Sequence, residues 1–130
     1  MSKNEFHIYE SIDVILLTYD EFWCQETYKD RFGDLLIKTA KKLNTAKWAV
    51  IDDISNWPVK TPADIDTCCD LTATLAQIGF QHCAVVGHKY AISKWMMEKV
   101  LPEEVEVAFF DSIDEAKKWL NSLGYTCNFD

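Results

Sequence analysis

The chain has 130 residues, 48% of them hydrophobic, and a net charge of −8. That is enough apolar material for one domain with its own core. The acid excess and a lone arginine, Arg31, exclude a general nucleic-acid surface, because phosphate binding draws on clustered cations that release counterions. Apolar runs such as 14–17 and 84–86 are far shorter than the roughly 20 residues that span a bilayer, so no membrane span is expected. The stretch Met1-Ser2-Lys3-Asn4-Glu5 is unlike a signal peptide, and five cysteines, an odd count without a dense framework, suit a reducing, cytoplasmic setting.

In chain order, Phe6 and Ile8 around His7 predict a short strand, and 14–19 a second one, antiparallel to the first across a tight Glu10-Ser11-Ile12-Asp13 connection. From Thr27 the period becomes helical, with Tyr28, Phe32, Leu35, Leu36, Ala40 and Leu43 on one face. The β-rich segment 48–52 follows. Thr61-Pro62-Ala63-Asp64 then opens a helix that runs to about Ile78 and stops at Gly79: Thr61 as cap, Pro62 where a missing N–H costs nothing, Asp64 toward the positive dipole end. A strand over 82–86 and Gly87 lead to a helix from about Tyr90 to Leu101, which Pro102 ends. Last come a strand over 105–110 and a helix opened by the capping box Ser112-Ile113-Asp114-Glu115 and closed by Gly124.

Strands alternating with helices mean parallel pairing through right-handed crossovers, with consecutive helices covering both faces of the sheet. The fold class is therefore α/β: a single, mixed, mostly parallel five-stranded sheet with four helices, in the order β-β-α-β-α-β-α-β-α. No repeat or linker divides the chain, so residues 1–130 are read as one domain.

Catalytic signatures are missing. Gly33, Gly79, Gly87 and Gly124 are too scattered for a phosphate loop, and no Gly-x-Ser-x-Gly elbow occurs. His82, Cys83, His88 and His7 lack metal-ligand spacing, and His82 is expected in a loop before its strand. Cys68, Cys69 and Cys83 read as small buried hydrophobes, with a vicinal disulfide at Cys68-Cys69 as the minor alternative. Asp52 and Asp53 end a strand where acids could do acid/base work or hold Mg²⁺, but fixing the adjoining turn is the simpler role. No catalytic residue, metal or cofactor is expected. Trp48, Trp95 and Trp119 fall on apolar stripes and are expected in the core. Trp23 and Trp57 fall in loops, where they could anchor a partner or an apolar ligand.

Asp20-Glu21-Phe22-Trp23, Asp52-Asp53-Ile54-Ser55-Asn56-Trp57 with Thr61-Pro62, Ala84-Val85-Val86-Gly87, and Val107-Ala108-Phe109-Phe110-Asp111 before Glu115-Ala116 and Trp119-Leu120 together carry a resemblance. From Phe6 to Leu123 the arrangement is similar to the STAS domains of anti-sigma factor antagonists, and it resembles their SpoIIAA-like relatives more closely. The resemblance implies a non-catalytic regulatory module that meets a protein partner such as a kinase or an anti-sigma-like factor. In the family's switch proteins an Asp-Ser-Ser-Gly-Leu-Gly stretch opens the second helix, and a serine in it is phosphorylated. That stretch falls on Lys60-Thr61-Pro62-Ala63-Asp64-Ile65, where only Thr61 keeps a hydroxyl, which speaks against the phospho-switch and for Thr61 as a plain cap.

The expected partner surface is Ser55, Asn56, Trp57, Thr61 and Asp64, with Thr61 the one candidate for phosphorylation. The alternative is a small apolar ligand or lipid in a cleft lined by Phe22, Trp23, Trp57, Met96 and Met97, which requires a cavity of several hundred Å³. Strand edges and the Met96-Met97 face are where a homodimer would form.

Overall fold

A computed structural model describes residues 6–20, 32–43, 45–56, 62–87 and 91–129, the side chains of 62–64 excepted. Its elements are β1 (Phe6–Glu10), β2 (Val14–Tyr19), α1 (Gly33–Lys42), β3 (Trp48–Asp53), α2 (Pro62–Gln77), β4 (Phe80–Val86), α3 (Ala91–Val100), β5 (Glu106–Phe110) and α4 (Ile113–Ser122). The order is the expected one, with β4 starting two residues earlier than the pattern suggested. The five strands lie side by side in sequence order, β1 antiparallel to β2 and every later pair parallel.

The central strands are apolar on both faces, as strands covered on two sides must be. Ile15, Leu17, Val50, Cys83 and Val85 pack against Leu36 and Ala40 of α1, Cys68 and Leu75 of α2, and Met97 and Val100 of α3. On the opposite face Val14, Leu16, Ala49, Ile51, Ala84 and Val86 meet Ala116 and Leu120 of α4, with Tyr125 beside them. Consecutive helices therefore do not alternate between the faces. Each crossover from β2 to β5 advances the sheet one strand in the same direction, so crossovers of one hand put all three helices on one face. Among the described helices, α4 alone, which returns to no strand, covers the other.

Two aromatic and aliphatic expectations fail for a related reason. In α3 the inward stripe is Ser93, Met96, Met97 and Val100, which turns Trp95 outward at 51% exposure. In α1 the stripe narrows to Phe32, Leu36 and Ala40, and Leu35 is left exposed.

The terminating signals work as expected. Ser112 Oγ accepts a hydrogen bond from Glu115 N at 3.2 Å, the N-cap half of the expected capping box, and donates to Glu115 Oε1 at 3.3 Å. Gly79, at φ +115°, reverses the chain between α2 and β4. The wholly buried Trp48 sits beneath that turn: its backbone N–H donates to Gly79 O and its Nε1 to Ile78 O, both at 2.9 Å. Its ring also stacks on Phe80 at 5.2 Å.

Residues 125–129 form a strap over the α4 face that the pattern did not announce. Ser11 Oγ donates to Thr126 O at 2.7 Å, Thr126 N donates to Asp13 Oδ1 at 2.8 Å, and Asn128 N donates to Ser11 Oγ at 3.0 Å. Tyr125 OH meets His82 Nδ1 at 2.6 Å. His82 is thus a residue of β4, not of a loop, because the strand begins at Phe80 and its ring is held edge-on between Trp119 and Tyr125.

Burial lowers the His82 pKa below its ordinary 6.5, Lys47 acts in the same direction, and Glu106 at 3.7 Å opposes both. A depressed folded pKa means that the unfolded chain takes up the proton more readily. The stability from burying the neutral ring is then fully present above about pH 6.5 and declines as pH falls through the lowered pKa. The urea midpoint should drop between about pH 7 and pH 5, and His82→Gln should drop less over the same interval. Equal drops in the two proteins would remove His82 as the source. Tyr125, whose pKa burial raises to about 12, stays neutral throughout that range.

Candidate functional site

In an open sheet whose strands run parallel, the loops at their carboxyl ends are where ligands and partners are met. Here that end is formed by the residues after β2, β3 and β4. The β3–α2 loop is fastened to it at four points. Asp53 Oδ1 accepts from Ser55 N at 3.1 Å and from Ser55 Oγ at 2.6 Å, an Asx turn closed by its own side chain. Ile54 N donates to Val86 O at 2.9 Å, and Asn56 Nδ2 donates to Tyr19 O at 2.7 Å, tying the loop to β4 and to the end of β2. Ile54 is buried, while Ser55 is half-buried and Asn56 is exposed. Asp53 therefore fixes the turn, as expected.

Asp52 cannot join Asp53 in acid/base work. Successive side chains of a strand point to opposite faces, and Asp52 is buried on the face that α1, α2 and α3 cover, in register with Leu17 and Val85. Gly87, at φ +81°, completes the floor under the loop: a Cβ there would overlap Ser55 Oγ and stand 3.1 Å from Asp53 Oδ1. The Asp53-Ile54-Ser55 spacing carried a turn signal, whereas nothing local to Gly87 announced its approach to a loop more than 30 residues earlier. Gly87→Ala should cost about 2–3 kcal/mol, from left-handed strain plus the displaced Ser55 bond. It should also speed amide exchange at Ile54 and Ser55; unchanged exchange there would separate Gly87 from the loop.

Of the expected partner surface, Ser55 and Asn56 lie in the described first half of the β3–α2 loop. Asp64 lies in α2, its side chain outside the described residues, as are Trp57, Thr61, Phe22 and Trp23. Met96 and Met97, taken as cleft and dimer residues, are both 1% exposed. They belong to the inward stripe of α3, so no Met96-Met97 face is offered to a second copy. Met97 does border a cavity between the sheet and its three helices, with Tyr19, Phe32, Asp52, Cys68 and Leu75 among its other walls. Its volume is about 40 Å³, room for two or three waters at roughly 10–15 Å³ each, and Met96 is not among the described walls.

Cys68, Cys69, Cys83 and Cys127 are free thiols, so Cys68-Cys69 is not a vicinal disulfide. Burial, with Asp52 adding to it, pushes the Cys83 thiol well up, the opposite of what a nucleophile needs. Among the described residues no three His, Cys, Asp or Glu side chains converge as a metal site, and no helix is long and apolar enough to cross a membrane.

Two solved structures share this arrangement. The protein TM1081 superposes with a TM-score of 0.62 at 13% identity, over 93% of this chain and 92% of that one. A serine-to-glutamate variant of RsbS from Moorella thermoacetica superposes with a TM-score of 0.60 at 16% identity, over 91% of this chain and 99% of that one. The chain has the STAS fold. At these identities the likeness rests on shared strand order and crossovers. No family model and no curated protein matches the sequence. In STAS terms, the fastened β3–α2 loop is the segment that leads into the second helix of the fold.

Proposed function

We propose that this chain is a non-catalytic regulatory module that presents the β3–α2 loop and the start of α2 to a protein partner, in the manner of an anti-sigma factor antagonist. The observation that supports this reading most directly is the fastening of the loop. Ile54 N and Asn56 Nδ2 tie its first half to the two neighbouring strands while Asp53 closes the turn through Ser55, so Asn56 is displayed with little ordering entropy left to lose on binding. A partner kinase or anti-sigma-like factor and a cytoplasmic setting belong to the same reading. Thr61 is the one hydroxyl at the register where the family's switch proteins carry a modified serine, and Asp64 nearby would repel a phosphate there.

The alternative, an apolar ligand or lipid, needs a cavity of several hundred Å³. The described cavity lined by Tyr19, Phe32 and Met97, at about 40 Å³, is too small for such a ligand, and the Phe22, Trp23 and Trp57 side of the expected cleft lies outside the described residues.

Affinity capture from native-host lysate, with proteins and extractable small molecules both identified by mass spectrometry, tests the reading. Wild type is compared with Asn56→Ala and with Trp57→Ala/Thr61→Asp. A stoichiometric protein retained by wild type and lost with both variants is the expected result. A co-purifying lipid or metabolite without a protein partner would overturn it.

A further inference from the structure

The strap over 125–129 is held at its outer part by exposed bonds and at its inner part by a buried one. Past Tyr125 the bonds to Ser11 and Asp13 are all solvent-exposed, and Lys117 Nζ stands 5.6 Å from the Phe129 ring. Fastenings of that kind open at low cost. The inner one is Tyr125, 5% exposed, whose hydroxyl meets His82 Nδ1 at 2.6 Å. The chain enters the strap through Gly124, at φ +98° with open space beside it, so the base of the strap has room to pivot.

The groups around the His82 ring decide how it answers a proton. From α4 it faces Trp119 and from the strap Tyr125, both edge-on. From β5 it faces Glu106, with Nε2 3.7 Å from Oε1. Ahead of β3, Lys47 Nζ stands 5.1 Å from the centre of the Tyr125 ring, and the charge of Asp13 also reaches Tyr125. The Glu106 carboxylate draws the proton of the neutral ring to Nε2, which leaves Nδ1 to accept from the Tyr125 hydroxyl. A second proton can go only to Nδ1. Nδ1 then becomes a donor, and the hydroxyl must turn to accept, so its own proton loses the acceptor that it had in a place closed to water. Burial of a side chain only 14% exposed works in the same direction. Departure of Tyr125 relieves both: the hydroxyl and Nδ1–H reach water, and the imidazolium keeps Glu106 beside it.

We propose that residues 125–129 are a proton-operated latch, docked while His82 is neutral and swung off the sheet about Gly124 when His82 is protonated. Opening withdraws Tyr125, Cys127 and Phe129 from the apolar cluster on the α4 face, so acid exposes apolar surface there. His82 pairs with Ala49 near the amino ends of β3 and β4, the end opposite the β3–α2 loop, and the proposal stands independently of the function proposed above.

Amide hydrogen exchange of the full chain between about pH 7 and pH 5, expressed as protection factors, tests it. The N–H groups of Thr126 and Asn128 donate to Asp13 and Ser11, and their protection is expected to fall roughly fivefold or more over that interval. Their exchange should ignore about 1 M urea, as for an opening that exposes little surface, whereas exchange at Val85 in β4 should quicken with it. His82→Gln still accepts from the hydroxyl, takes up no proton and leaves Asp13, Glu106 and Lys47 in place, so its strap protection should stay level. Tyr125→Phe has no hydroxyl proton to strand, and its fall should be smaller than that of wild type. A wild type without the fall, a fall that persists in full in either variant, or strap exchange that follows urea as Val85 does would each overturn the proposal.

Discussion

Trp48→Ala is expected to remove about 4–5 kcal/mol of folding free energy, a large share of the roughly 5–15 kcal/mol that a domain has. Most of this is the cavity left by a wholly buried indole at the start of β3, where the ring stacks on Phe80. Roughly 1 kcal/mol more comes from the Ile78 carbonyl, which loses its Nε1 donor. Trp48→Phe separates the two contributions, since it keeps much of the volume and loses only the donor. Urea unfolding of the three proteins should rank wild type above Trp48→Phe and Trp48→Ala far below both. A shift of under about 1 kcal/mol for the alanine variant would mean that the site collapses around the loss.

Gly79→Ala acts on the same corner from the other side and should cost about 3 kcal/mol or more. At φ +115° any side chain is strained, and a Cβ would also lie 2.5 Å from Ala46 O and 2.9 Å from Trp48 Cδ1. Neither neighbour can yield: one is backbone, and the other is a ring locked by its hydrogen bond and its stacking. Gly124 supplies the control. It is at φ +98° with nothing within 4 Å of the added carbon, so Gly124→Ala should show the backbone strain alone, about 1–2 kcal/mol. Thermal or urea unfolding that places the two variants level would show that the crowding at Ala46 and Trp48 relaxes freely.

Local chemistry explains why so much of this architecture was legible. Ser112 with Glu115, Pro62 at a helix start, and Gly79 and Gly124 at helix ends each act within one turn of chain, and each acts as its residue type dictates. The strands were legible because β2, β3 and β4 are buried on both sides and therefore read as nearly unbroken apolar runs. The face on which each helix lies was not legible, since it follows from the order of strands in space. The fates of Trp95 and Leu35 also escaped the pattern. Leu35 lies at the margin of a stripe that is narrower than its spacing suggests, and Trp95 lies opposite the Ser93, Met96, Met97 and Val100 stripe that the sheet covers.

At the candidate site the split is similar. The Asp53-Ile54-Ser55 turn is local and could be anticipated. The grip of Asn56 on Tyr19 O joins residues 37 apart, and the room that Gly87 leaves for Ser55 depends on β3 and β4 being neighbours. His82 was misplaced because its exposed neighbour Gln81 broke the apolar run, although the strand continues through it back to Phe80.

The sequential strand order has a consequence for biosynthesis. As the chain leaves the ribosome, each new strand can dock beside the one made just before it, with its crossover helix arriving already on the correct side. The sheet can therefore grow by one neighbour at a time in the order of translation, with few long loops to close. Among the described residues, the opposite face, with Val14, Leu16, Ile51 and Val86, has no such running cover and waits for residues 113–129. A nascent chain halted before Ile113 would carry a nearly complete sheet with one greasy side open, the form in which a chaperone would find this protein most adhesive.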